Sequence, residues 1–133
     1  MNKASVLMLP SQPYLLRAIY EWIVDNEMTP YVLVNAQNDD VHVPVQYVDN
    51  GKIVLNIAPR AVSRLELGND EIVFSARFSG NPTEVCFPVN SVMAIYAKEN
   101  GQGMVFNEND NAGGDDPKSS SNKPKRPNLK LVK

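Results

Sequence analysis

After Phe106 the sequence stops supplying what a folded core needs. From Asn107 to Pro127 there is almost no apolar side chain, only Asn, Asp, Glu, Gly, Ser, Pro and basic residues with a single Ala. Such a stretch cannot offset the entropy of being ordered, so 107–125 reads as a flexible linker. Arg126, Pro127, Leu129, Lys130, Leu131, Val132 and Lys133 then set three aliphatic side chains among cations and one proline. A solvated tail gains nothing from aliphatic residues unless another molecule receives them. Residues 126–133 therefore read as a docking peptide, tethered to one folded domain over 1–106.

Charge divides at the same place. Residues 1–106 carry 7 Lys and Arg against 11 Asp and Glu, a net of −4, whereas 107–133 carry 6 against 4, a net of +2. A nucleic-acid-binding domain is expected to reverse that balance. Cys86 is the single cysteine, which excludes an internal disulfide and any metal site of paired cysteines. The opening apolar run, Val6 to Leu9, is too short for a signal-peptide core or a membrane span. A soluble, cytoplasmic protein is expected.

Ser11-Gln12-Pro13 opens a helix, with a hydroxyl in the capping region and a proline where a missing N–H costs nothing. The helix is predicted over Pro13–Asn26, ending before Thr29-Pro30. Arg17, Glu21 and Asp25 form one narrow polar stripe, with Arg17 and Glu21 spaced to pair weakly. The remaining apolar surface covers roughly 240° of the circumference, against roughly 100° for a helix packed on one side. Two faces need cover. Either a long loop or the N-terminal segment Lys3–Pro10 supplies it, or, as preferred, the same helix of a second subunit does, through Leu15, Ile19, Tyr20, Trp22 and Ile23.

Beyond Pro30 the period becomes alternating. Strands are predicted over Tyr31–Ala36, Val41–Val48, Lys52–Ala58, Glu71–Ser79 and Thr83–Val89, with a short helical turn passing into a strand over Asn90–Ala97 and a last piece at Met104–Phe106. Pro44 marks Val41–Val48 as an edge or a bulge. Asn50-Gly51 and Asn100-Gly101 make tight hairpins. Ala61–Asn69 reads as an irregular connector. The fold class is mainly β with one N-terminal helix, a small open barrel or sandwich capped by the helix.

Catalytic groups are scarce. His42 reads as an ordinary strand residue and Cys86 as a small buried hydrophobe. Gly101-Gln102-Gly103 has no following helix, as a phosphate loop requires. No enzyme, cofactor or metal is expected. What remains is a groove: an exposed edge near Pro44 can take an extended peptide, with small residues Ala58, Ser75 and Ala76 letting its backbone approach and Arg60 and Arg77 meeting acidic groups. A rim ion pair from either arginine to Glu66, Asp70 or Glu71 is the competing assignment.

Pro13-Tyr14-Leu15-Leu16-Arg17-Ala18, Ile53-Val54-Leu55-Asn56-Ile57-Ala58-Pro59-Arg60-Ala61-Val62, Asn69-Asp70-Glu71, Ala76-Arg77-Phe78 and Ala94-Ile95-Tyr96-Ala97 closely resemble the stringent starvation protein B family, and the tip from Arg126 resembles its terminal docking peptide. The resemblance implies an Sm-like domain that dimerises through its helix. It implies an adaptor that binds the peptide tag added by trans-translation to products of stalled ribosomes. The tail tip is then expected to bind the zinc-binding N-terminal domain of the ClpX unfoldase for degradation by ClpXP. By position the tag groove involves Asn56, Ala58 and Arg60 together with Ser75, Ala76 and Arg77. Tagged substrates, ClpX and a second copy of the chain are the expected partners, without membrane or nucleic acid. The alternative is an Sm-like module for single-stranded RNA, which the charge of residues 1–106 opposes.

Overall fold

The computed structural model describes residues 8–106, so the expected linker and docking peptide, 107–125 and 126–133, lie outside the described residues. Helix α1 spans Gln12–Asp25. Ser11 does not cap it: its own backbone is already helical (φ −78°, ψ −19°), which denies its hydroxyl the usual reach to the first free N–H groups. The neighbouring Gln12 anchors the helix instead. Fully buried, it donates from Nε2 to the carbonyls of Val89 and Val92, each at 3.0 Å. At the other end Glu27 turns left-handed (φ 61°), and Met28 N–H reaches Ile23 O while Glu27 N–H reaches Val24 O. This is a Schellman closure made without glycine, at roughly 1–2 kcal/mol of backbone strain. Arg17 does not pair with Glu21; its Nη1 donates to Leu67 O and Asn69 Oδ1 and ties the helix to the sheet that follows.

The strands are β1 (Pro30–Asn35), β2 (Lys52–Asn56), β3 (Val62–Leu67), β4 (Glu71–Phe78), β5 (Asn81–Pro88), β6 (Val92–Ala97) and β7 (Gly103–Val105). They form two antiparallel sheets, β2-β1-β6-β7 and β3-β4-β5, which stay open and do not close into a barrel. Strands β1, β2 and β4 alternate buried with exposed or half-buried residues. Their inward residues Val32, Val34, Ile53, Leu55, Ile72 and Phe74 meet Leu16 and Ile23 of α1 in one core. Phe74 and Phe87 pack edge to face across β4 and β5, centroids 6.3 Å apart.

Two expectations need correction. Val41–Val48 is not a strand: only His42 bridges to Cys86, and Val45–Tyr47 forms a single 3-10 turn. Pro44 (φ −66°) has no N–H to continue a ladder, so the segment lifts off after one pair. The turn at Asn50 (φ 55°) and Gly51 (φ 76°) forms, but beyond the one bridge between Asp49 and Lys52 the strand it launches pairs with β1, from Asn35↔Lys52 to Tyr31↔Asn56. Conversely, Ala61–Asn69 is not an irregular connector but contains β3. The pairing of β3 with β4 shifts between Ser63 and Glu66, where Arg64 is left-handed (φ 55°), and this bulge breaks the alternation a strand would show in sequence.

Glu99 staples the start of β1 to the β6–β7 turn. Its carboxylate accepts from Thr29 N–H at 2.9 Å and from Thr29 Oγ1 at 2.7 Å, and those bonds hold its pKa below the ordinary 4.5. A lowered carboxylate pKa contributes stability that is full above 4.5 and is lost as the pH falls through the lowered value. Glu99→Gln is therefore expected to lower the urea midpoint at pH 7, with the gap to the native chain closing on acidification. Urea titrations across that range check it.

Candidate functional site

Strand β2 is the outer strand of its sheet. Ala36 N–H donates to Gly51 O and Ile57 N–H to Pro30 O, so the odd-numbered residues from 51 to 57 turn their backbone groups toward β1. The even-numbered ones point outward. Lys52 is already closed by Asp49, in bonds of 2.7 and 3.0 Å. The outward backbone groups of Val54 and Asn56 have no strand partner among the described residues. The expected peptide-accepting edge thus exists, but on β2 and not on the segment around Pro44.

Past β2 the chain turns sharply. Asn56 Oδ1 accepts from Ala58 N–H at 2.9 Å, and Ala61 N–H returns to Ala58 O at 2.8 Å around Pro59. This Asx turn followed by a proline-led β-turn carries the chain from the first sheet to the second. A trough opens where the sheets part. One cavity, about 400 Å³, is lined by Tyr47, Val54, Asn56, Ala76 and Phe78 among others. A second, about 470 Å³, is lined by Arg60, Arg64, Arg77, Ser63, Ser75 and Pro82 among others. Ala61, Ala76 and Arg77 line both, so the two are continuous over a floor of small side chains. These sizes suit side chains of a bound peptide.

Five of the six residues expected at the groove lie on its walls: Asn56, Arg60, Ser75, Ala76 and Arg77. Ala58 does not. It is 5% exposed, held under the turn it helps form, and lines neither cavity. The competing assignment, a rim ion pair from Arg60 or Arg77, is absent among the described residues; Arg77 Nη1 donates to Gly80 O at 3.2 Å, and the one ion pair there is Arg64 to Glu84 at 2.9 Å.

Sequence reasoning missed Tyr47, Val54, Ala61, Arg64 and Phe78. Val54 left a trace, a large aliphatic residue on the outward side of an alternating strand, 47% exposed. Tyr47 left none, because it reaches the trough through the 3-10 turn. Its hydroxyl pairs with Ser79 Oγ at 2.6 Å and its ring lies 5.4 Å from that of Phe78, which fixes one wall.

Elsewhere, Cys86 Sγ donates to Glu71 Oε1 at 3.3 Å. Burial, then that bond, then the Glu71 charge raise its pKa, so the thiol stays protonated and is a poor nucleophile. Among the described residues no three His, Cys, Asp or Glu side chains gather to hold a metal, and no helix is long and apolar enough to cross a membrane.

On α1, Tyr14, Ala18 and Trp22, four residues apart with Leu15 beside them, form an exposed stripe; Tyr14 is 45%, Leu15 37% and Trp22 47% exposed. Met8 and Leu9, at 89% and 68% exposure, do not cover it. Ile19 and Tyr20 are half-buried against the core, and Ile23, expected with them at an interface, is 2% exposed inside the domain's own core.

Fold and trough define a class: a small open β-sandwich with one helix, presenting a free strand edge over a partly apolar, partly cationic trough. The profile of the family described as stringent starvation protein B matches residues 10–133, and the chain belongs to that family. It is 52% identical over 97 residues to the stringent starvation protein B homolog of Haemophilus influenzae, a match covering 73% of this chain and 65% of that relative, just under two thirds of its length.

Proposed function

We propose that this protein is a non-enzymatic, homodimeric adaptor. Its trough binds the trans-translation tag as an extended strand, and its tail tip docks on the N-terminal domain of ClpX so that the tagged chain is degraded by ClpXP. The observation that carries the reading is the free edge of β2. Backbone groups of Val54 and Asn56 point out beside a floor of alanines, which is the geometry for strand addition, with backbone bonds supplying affinity and side-chain pockets supplying selectivity. Family membership supports a stringent starvation protein B-like role. Titrating a labelled tag peptide with the full chain tests the reading: saturable binding of one peptide per chain is expected, and binding that a scrambled peptide reproduces would overturn it.

The stripe of α1 is where a second copy packs. Tyr14, Leu15 and Trp22 bring aromatic and aliphatic area that water disfavours, and a two-fold axis would set stripe against stripe. Trp22→Asp is expected to lower the mass in light scattering from twice the chain mass to 14.8 kDa. A dimer that persists at low micromolar concentration would place the interface elsewhere.

A further inference from the structure

Beside the last turn of α1 lies a small cavity, away from the trough. It measures about 100 Å³ and opens between Trp22, Ile23 and Asn26 of the helix end and Ala97, Asn100 and Gln102 of the β6–β7 hairpin. Among the described residues no charged side chain lines it. At the roughly 30 Å³ that a water molecule takes in the liquid, it has room for about four heavy atoms, the size of a leucine or methionine side chain. At the opposite end of the helix Met8 and Leu9 are 89% and 68% exposed, two large apolar side chains that their own domain leaves uncovered. They cannot reach the cavity of their own chain. Ser11 and Asn26 stand about 22 Å apart along the helix axis, whereas the chain from Ser11 back to Met8 spans at most about 10 Å.

A second copy can supply them. Trp22 belongs to the exposed stripe of α1 and also lines the cavity, and Asn26 follows it one turn on, so stripe and cavity are continuous along one side of the helix. Ala18, the small exposed residue at the middle of the stripe, is where two such helices approach most closely. A two-fold axis at Ala18 runs the helices antiparallel and sets Tyr14 beside the partner's Trp22. The same symmetry brings the partner's Ser11 level with Asp25, and the residues before it alongside Asn26 and the cavity. Resting on the dimer reading above, we infer that Met8–Pro10 of each copy is a strap that crosses to the other and seats one apolar side chain, Met8 or Leu9, in the cavity at the end of its α1. Residues 8–10 carry no helix, and successive side chains of an extended segment point to opposite sides, so one of the two enters. Each dimer closes two such sockets, which adds apolar burial that the stripe alone does not supply.

Trp22 is the single tryptophan, so its emission reports on the stripe and the socket together. The test dilutes the full chain and follows that emission, with light scattering for the mass, in the native chain and in a variant carrying Met8→Ser and Leu9→Ser. The double variant is expected to raise the dissociation constant of the dimer by about tenfold or more, the scale of withdrawing a buried aliphatic side chain. Whichever single variant reproduces the loss names the seated residue. A second measurement uses chains with Cys86→Ser, one kind carrying Leu9→Cys and the other Gln102→Cys, mixed dilute, concentrated together and oxidised. A disulfide joining the two kinds of chain is expected in the mixture, and none in either kind alone. A native dimer that the double variant leaves as tight, or a mixture without the cross-link, overturns the strap while the stripe contact stands. A native chain that stays monomeric at every concentration overturns the dimer reading and the strap with it.

Discussion

Removal of Pro124–Lys133 is expected to leave the affinity for a tag peptide within twofold of the full chain and to abolish delivery to the protease. The two halves of this result follow from different parts of the sequence. Among the described residues the trough is built wholly from the stretch between Tyr47 and Pro82. The tail carries Leu129, Leu131 and Val132, the aliphatic residues of the proposed docking peptide, which lie outside the described residues. A flexible linker of ~20 residues has a root-mean-square span of roughly 25 Å and raises the local concentration of tethered substrate to the order of millimolar. Losing the tether returns the reaction to bulk concentration, a drop on the order of 10³-fold or more at submicromolar adaptor. Degradation of a tagged fluorescent protein by ClpXP, measured beside peptide anisotropy for both chains, checks it. Loss of peptide affinity in the truncated chain would show that the tail takes part in gripping.

Val54→Pro is expected to reduce peptide binding by at least about tenfold without unfolding the domain, the loss corresponding to one backbone hydrogen bond and the disturbance of its neighbours. Val54 directs its N–H outward, so proline removes a donor that the β1–β2 ladder does not use. Within a sheet, proline is tolerated at such edge positions, at a strand's first residue, as at Pro30 of β1, and at bulges. Val54 is also half out of the core, so replacing it leaves Ile53 and Leu55 packed as they are. Val54→Thr keeps the N–H and the branched shape and should retain affinity. Anisotropy for the two variants, with circular dichroism to confirm the fold, separates backbone capture from side-chain contact. Equal losses in both would mean that the Val54 side chain carries the binding, and strand addition along β2 would be abandoned.

Both experiments depend on an arrangement only partly legible in the chain. The helix could be read from Pro13 and from the stop at Thr29-Pro30, and β4 from its alternation of Ile72, Phe74, Ala76 and Phe78, because those signals are local and act on the residues that carry them. The segments forming the groove were legible too, through small and cationic residues on strands. Ala58 was misplaced because a small residue on an alternating strand looks the same whether it floors a groove or sits beneath a turn.

The sequence by itself determined the helix, the alternating strands β1, β2 and β4, and the change of composition after Phe106, since each rests on composition or period within a short window; the expected linker and docking peptide lie outside the described residues. Partnership between strands belonged to the tertiary structure. Pro44 ended one candidate ladder after a single pair, β1 took β2 in its place, and a left-handed Arg64 let β3 bend onto β4. The trough exists because two sheets that share a core diverge beside a free edge, and its arginines come from two stretches of chain, 60 and 64 at the approach to β3 and within it, 77 on β4. No local pattern encodes such a meeting; it is set by which pairing buries the most apolar surface while leaving the fewest backbone groups without partners.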